Sequence, residues 1–154
     1  MLPNSAQSQK LHSGDGFIAK FSPGGALLAS TYVGMPDAVG SIIGIGLEGL
    51  AVTPNGDVVA GGSDRPNNSS IRHAVVARAN ADLSELLYVE YYGGSGKDEL
   101  RAVDVNAMGD IYYAGHTTSN DWPIVSAYDS TYNSHPNSSP SYVVLRPQLG
   151  FSHE

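Results

Sequence analysis

An internal repeat constrains this chain more than any other feature, because a chain that returns to the same motifs in the same order must be built of like units. Phe17-Ile18-Ala19-Lys20 lines up with Val75-Val76-Ala77-Arg78, 58 positions on, and the run returns as Val143-Val144-Leu145-Arg146, 68 positions further. Leu27-Leu28 followed by Tyr32-Val33-Gly34 matches Leu86-Leu87 followed by Tyr91-Tyr92-Gly93, at a spacing of 59. A third pair joins Leu50-Ala51-Val52-Thr53-Pro54-Asn55-Gly56-Asp57 to Val103-Asp104-Val105-Asn106-Ala107-Met108-Gly109-Asp110, at a spacing of 53. The shorter spacing puts about six extra residues into the first copy, around positions 35–43.

Within each unit, β-branched and aromatic residues cluster in short runs divided by turn residues, which predicts strands. The expected strands cover 16–21, 26–33, 49–53, 57–62, 73–79, 85–92, 101–106, 110–116 and 141–146, and no segment carries a helical period. Ser22-Pro23-Gly24-Gly25 and Thr53-Pro54-Asn55-Gly56 place Pro second and Gly fourth, as a type I turn opening a Gly-bulge hairpin prefers. Asn106-Ala107-Met108-Gly109 repeats the pattern without proline, while Asn80-Ala81-Asp82 departs from it. With 18 glycines, 9 prolines and only 15% charged residues, the composition agrees with an all-β chain rich in tight turns.

Four-stranded antiparallel units recurring at this interval predict the blades of a β-propeller. The chain supplies two strands, then a full set of four, then three, so it holds about two to two and a half repeats and an incomplete ring. The expected organisation is a flexible segment over 1–14, a repeat array over 15–146, and a tail over 147–154. Within the array the copies cover about 15–72 and 73–140, with a partial third over 141–150. Such an array is expected to self-associate or to belong to a longer repeat chain, since open blade faces invite pairing.

The same residues resemble the SBBP family, a bacterial seven-bladed-type β-propeller repeat. The matching stretches are Asp15-Gly16-Phe17-Ile18-Ala19-Lys20-Phe21-Ser22-Pro23-Gly24-Gly25, Ser30-Thr31-Tyr32-Val33-Gly34 and Tyr91-Tyr92-Gly93-Gly94-Ser95-Gly96. Gly109-Asp110-Ile111-Tyr112-Tyr113-Ala114-Gly115 and Thr118-Ser119-Asn120-Asp121-Trp122-Pro123 complete the set. The resemblance spans about 15–146 and implies a propeller of bacterial surface or secreted proteins, so the expected location is extracellular or at the cell surface. No signal peptide is visible in the chain itself. The family implies neither a catalytic activity nor a fixed ligand.

Charge narrows the partners. Eight Lys and Arg face fifteen Asp and Glu, and a formal charge of -7 leaves no basic stripe for a phosphate backbone, so nucleic acid is not an expected partner. No run approaches the roughly 18 apolar residues of a membrane span, and membrane insertion is not expected. Cysteine is missing from the sequence, which removes disulfides and thiolate metal sites.

Several motifs suggest chemistry. Gly44-Ile45-Gly46-Leu47-Glu48-Gly49 has the dinucleotide spacing, but Pro54-Asn55-Gly56 interrupts the helix that would carry the pyrophosphate. Gly93-Gly94-Ser95-Gly96-Lys97 resembles a phosphate loop without its spacing and reads as a turn. Asp98 and Glu99, with Asp37 in the corresponding loop, are the candidate oxygen ligands for calcium, the one cofactor considered. His12, His73, His116, His135 and His153 show no metal-type spacing and read as surface or loop residues. Trp122, with Tyr128 and Tyr132 nearby, is the candidate ligand-binding platform for a sugar, set against a role in anchoring the connection between units. With no catalytic constellation recognisable, the expectation is a non-enzymatic binding or adhesion scaffold whose partner is a protein or a carbohydrate. The alternatives are a fragment of a propeller enzyme with an axial acidic site, or a structural spacer.

Overall fold

A computed structural model describes residues 5–34, 42–67, 69–125, 127 and 141–145 of the chain. Among them the regular structure is entirely β: β1 (Gly16–Phe21), β2 (Leu27–Val33), β3 (Ile42–Val52), β4 (Val58–Pro66), β5 (Ala74–Ala79), β6 (Leu86–Tyr92), β7 (Asp98–Val105), β8 (Ile111–Thr117) and β9 (Ser141–Leu145). These strands form three antiparallel sheets, ordered β1-β2, β3-β4-β5-β6 and β7-β8-β9. The division into two, four and three strands is the one the repeat register predicts. Of the segment expected to be flexible, residues 5–14 are described, and they are tied to the first two sheets. Ala6 N donates to Leu83 O (2.9 Å), Gln7 N to Thr31 Oγ1 (2.9 Å) and Tyr32 N to Gln7 O (3.1 Å).

Turn chemistry sets the hairpins. Gly25 N donates to Ser22 O (2.9 Å), Gly56 N to Thr53 O (2.8 Å) and Gly109 N to Asn106 O (3.0 Å). The glycines sit at φ of 83°, 91° and 88°, the left-handed region a Cβ disfavours. At the aligned position of the fourth hairpin stands Leu83, at φ 60°. Two things hold it there: its side chain is buried in the core, and Asn80 braces the turn by accepting from Glu85 N at Oδ1 (3.0 Å) and donating to Ser84 Oγ from Nδ2 (2.9 Å). The departure noticed at Asn80-Ala81-Asp82 therefore keeps the hairpin and replaces glycine by a packed leucine.

The sheets are stacked, and period-two alternation sends each strand's residues to opposite faces. Between the first and second sheets, Ile18 and Val33 pack with Val58, Ala60, Ala77, Ala79 and Leu83. Between the second and third, Val59, Ala74 and Val76 pack with Leu100, Ile111, Tyr113 and Trp122. The two central strands of the middle sheet, β4 and β5, are thus buried on both faces, which explains why they read as continuous apolar runs. Each large aliphatic side chain so covered contributes roughly 2 kcal/mol of transfer free energy.

Two strands begin earlier than expected: β3 starts at Ile42 and β7 at Asp98. Both carry a bulge, between Leu47 and Gly49 and between Leu100 and Ala102, at aligned positions of the repeat. A bulge breaks the alternation from which a strand is read, and the glycines at 44 and 46 weaken the signal further. At the same rung of the partner strands, Gly62 and Gly115 lie so close to the bulged strand that a Cβ would fall 1.8 Å from Gly46 O and 2.0 Å from Glu99 O. The dinucleotide-like glycines are accordingly part of a strand with no helix behind them.

Candidate functional site

A cluster of charged side chains gathers where the second and third sheets meet at the bulges. Arg72 and Lys97 form a parallel bridge, with Arg72 N donating to Gly96 O (3.1 Å) and Asp98 N to Arg72 O (2.8 Å). That pairing sets Arg72 beside Glu99, whose carboxylate takes the guanidinium groups of both Arg72 and Arg101. His116, opposite Glu99 in the β7–β8 ladder, brings Nε2 to 3.3 Å from Glu99 Oε2. Glu48 and Arg101 occupy the two aligned bulges and pair across the sheets at 3.4 Å. The result is a buried carboxylate held by two guanidinium groups with an imidazole beside it, and Arg72, Arg101 and Glu48 are partly open to solvent.

Asp98 and Glu99 are neighbours in a strand, so their side chains leave it on opposite faces. Asp98 is fully buried and acts as a knot: it accepts from Thr117 Oγ1, from Ser119 Oγ at 2.8 and 3.0 Å, and from Gly94 N at 2.9 Å. The carboxylates considered for calcium are therefore engaged separately, Glu99 by cations and Asp98 by hydroxyls and an amide. Among the described residues no three His, Asp or Glu side chains are grouped so as to hold a metal ion. Asp37 lies outside the described residues.

The Gly93-Gly94-Ser95-Gly96 loop is closed against the segment after β8. Asp121 Oδ1 accepts from Ser95 N (2.8 Å) and Ser95 Oγ (3.1 Å), Gly96 N donates to Ser119 Oγ (2.8 Å), and Lys97 N donates to Thr118 Oγ1 (2.6 Å). The Ser95 amide, with the Ser95 hydroxyl, holds the Asp121 carboxyl below its ordinary range. A Cβ on Gly94 would come within 2.2 Å of Asp121 Oδ1, so glycine is needed for this close approach. The loop's amides turn toward its own chain, which accounts for the phosphate-loop likeness as a turn.

Trp122 closes the same segment with its indole buried between the second and third sheets. The ring is a core element here, the anchoring role weighed against a sugar platform, and its Nε1 has no hydrogen-bond partner among the described residues. Tyr128 and Tyr132 lie outside them. Around the indole, burial pushes the Tyr113 and Tyr88 phenols up, and burial with a hydrogen bond to Glu90 pushes Tyr92 up to about 12. These three phenols consequently stay neutral through the physiological range.

Three histidines read as surface or loop residues are engaged with acids, and the first, His12, brings Nδ1 to 3.1 Å from Asp15 Oδ1. His116 meets Glu99 as described, and His73 holds Asp64, with N to Oδ1 at 2.8 Å and Nδ1 to Oδ2 at 2.9 Å. The Tyr91 ring lies edge-on to His73 at 6.4 Å. Sequence reasoning missed Arg72, Arg101, Glu48 and His116 as a group. Only the shared bulge position of Glu48 and Arg101, 53 residues apart, offered a signal.

The fold and this cluster define an antiparallel repeat protein of stacked sheets. No family model matches the chain, and no curated protein matches it in sequence.

Proposed function

We propose that the chain is a non-catalytic binding or adhesion scaffold of SBBP-type β-propeller repeats, working at the bacterial cell surface with a polysaccharide as its partner. One observation carries this reading: the buried acids of the described chain, Asp57, Asp64, Asp98 and Glu99, are each committed to a bond within the chain. Asp57 takes Arg78 at 2.7 and 3.0 Å, Asp64 takes His73, Asp98 takes two hydroxyls, and Glu99 takes two guanidinium groups. Acid–base hydrolysis uses carboxylates left free to exchange protons with a substrate, and these are spent on holding strands together. What faces solvent at the joint is a mixed set of Arg72, Arg101 and Glu48, donors and acceptors of the kind that grip sugar hydroxyls and uronate carboxylates.

Affinity electrophoresis through gels carrying neutral or acidic polysaccharides tests the reading. Retardation of the chain, weakened several-fold in Arg101→Ala, supports it. Turnover of glycoside or ester substrates by the purified chain, lost in Glu99→Gln, would overturn it in favour of an enzyme with an axial acidic site.

A further inference from the structure

The repeat aligns β1 and β2 of the first sheet with β5 and β6 of the second, and this alignment exposes a difference in what covers them. Val75, Ala77 and Ala79 on β5 are 0% exposed, and Ala77 and Ala79 pack directly into the core shared with the first sheet. Their aligned positions on β1 are Phe17, Ala19 and Phe21, and the two phenylalanines are 67% and 59% exposed. Leu27 and Leu28 on β2 widen the same open patch. Contiguous aromatic and aliphatic surface of this kind marks an interaction face. The chain itself shows what covers such a face, because in the second sheet it is the preceding sheet of the stack.

At the other end, the third sheet turns Ile111 and Tyr113 inward against the second sheet, and β8 alternates so that Tyr112 and Ala114 face away. Those positions align with Val59 and Gly61 on β4, which meet the third sheet: Val59 lies in the shared core, and a Cβ on Gly61 would touch Tyr113 and Val103 at 3.0 Å. One end of the stack is therefore built like a covered surface and the other like a covering one.

We infer that a second copy of this chain docks head to tail, the outward face of its third sheet on the Phe17 and Phe21 face of the first. Such a joint is heterologous: each copy uses a different face, and the assembly closes into a ring or extends.

Light scattering on the full chain across a dilution series tests this. The wild type runs at a multiple of the 16.1 kDa chain mass. Phe17→Glu with Phe21→Glu removes one face and Ala114→Arg blocks the other, and each variant drops to the single-chain mass with an unchanged far-ultraviolet dichroism spectrum. Mixed together, the two variants rebuild one joint from their intact faces and form a two-chain complex that grows no further. A wild type at the single-chain mass at every concentration overturns the inference. So does an Ala114→Arg variant that assembles like the wild type, which would mean like faces pairing, or a mixture that stays at the single-chain mass.

Discussion

The second and third sheets carry the same rung of the repeat and fill it differently. In the second, Ile45 faces Asp64 across the ladder, and Asp64 turns to His73 at the start of the next strand. In the third, Asp98 faces Thr117, and the acid has moved to β7, the first strand of its sheet, where Thr117, Ser119 and Gly94 surround it. Both sheets thus tie their first hairpin to neighbouring chain with one buried carboxylate. The contrast teaches that the repeat preserves a location for the polar knot and leaves open which strand supplies the acid. It also separates the knots by solvent access, since the His73 side chain is 42% exposed whereas Thr117 and Ser119 beside Asp98 are buried.

The largest expected effect follows from that separation. Asp98→Ala strands two hydroxyls and an amide in the interior and should cost about 4 kcal/mol in urea unfolding, whereas Asp64→Ala should cost about 1 kcal/mol because His73 can turn to water. Equal losses would erase the distinction. Next come Gly62→Ala and Gly115→Ala, each expected to cost about 3 kcal/mol by driving a Cβ into a cross-strand carbonyl. Similar losses at both sites would show that the bulge rung is common to both sheets. Arg101→Ala should cost only about 0.5 kcal/mol, because Arg101 is half exposed and Glu99 keeps Arg72 and His116.

The smallest effect is local and pH-dependent. Asp121 has its folded pKa depressed by Ser95, so the tie is at full strength above the ordinary aspartate range and is lost as pH falls through the lower folded value. The protection factor of the Ser95 amide, its exchange relative to an unstructured amide at the same pH, should fall over that acid window. A Ser95 protection factor that ignores pH would disprove the tie.

Much of the fold was legible because it is written in periodicity and turns. The alternation of β1 and β8, the glycines of three hairpins and the aligned offsets led to nine strands in groups of two, four and three. The early parts of β3 and β7 were not legible, since the bulges at Glu48 and Arg101 interrupt alternation and Gly44-Ile45-Gly46 mimics a binding loop. The site was less legible still. Asp98 and Glu99 stood out as adjacent acids, but Arg72, His116, Thr117 and Ser119 stand 17 to 27 positions from the acids they meet, and nothing local at Arg72 or His116 announces a shared carboxylate. Trp122 drew notice as a lone large aromatic beside proline, yet only packing shows which side of the sheet it enters.

That lone tryptophan has a use in following how the molecule comes apart. Its indole sits in the seam between the second and third sheets and nowhere near the seam beside Ile18 and Val33. Emission from a single ring thus reports one seam, while dichroism averages all the strands. In a stack where each layer holds only its neighbours, the two signals need not change together. A transition in dichroism that precedes the shift in emission would mean that the first layer peels away while the other two remain joined, so the molecule carries its own built-in reporter of the order in which its layers separate.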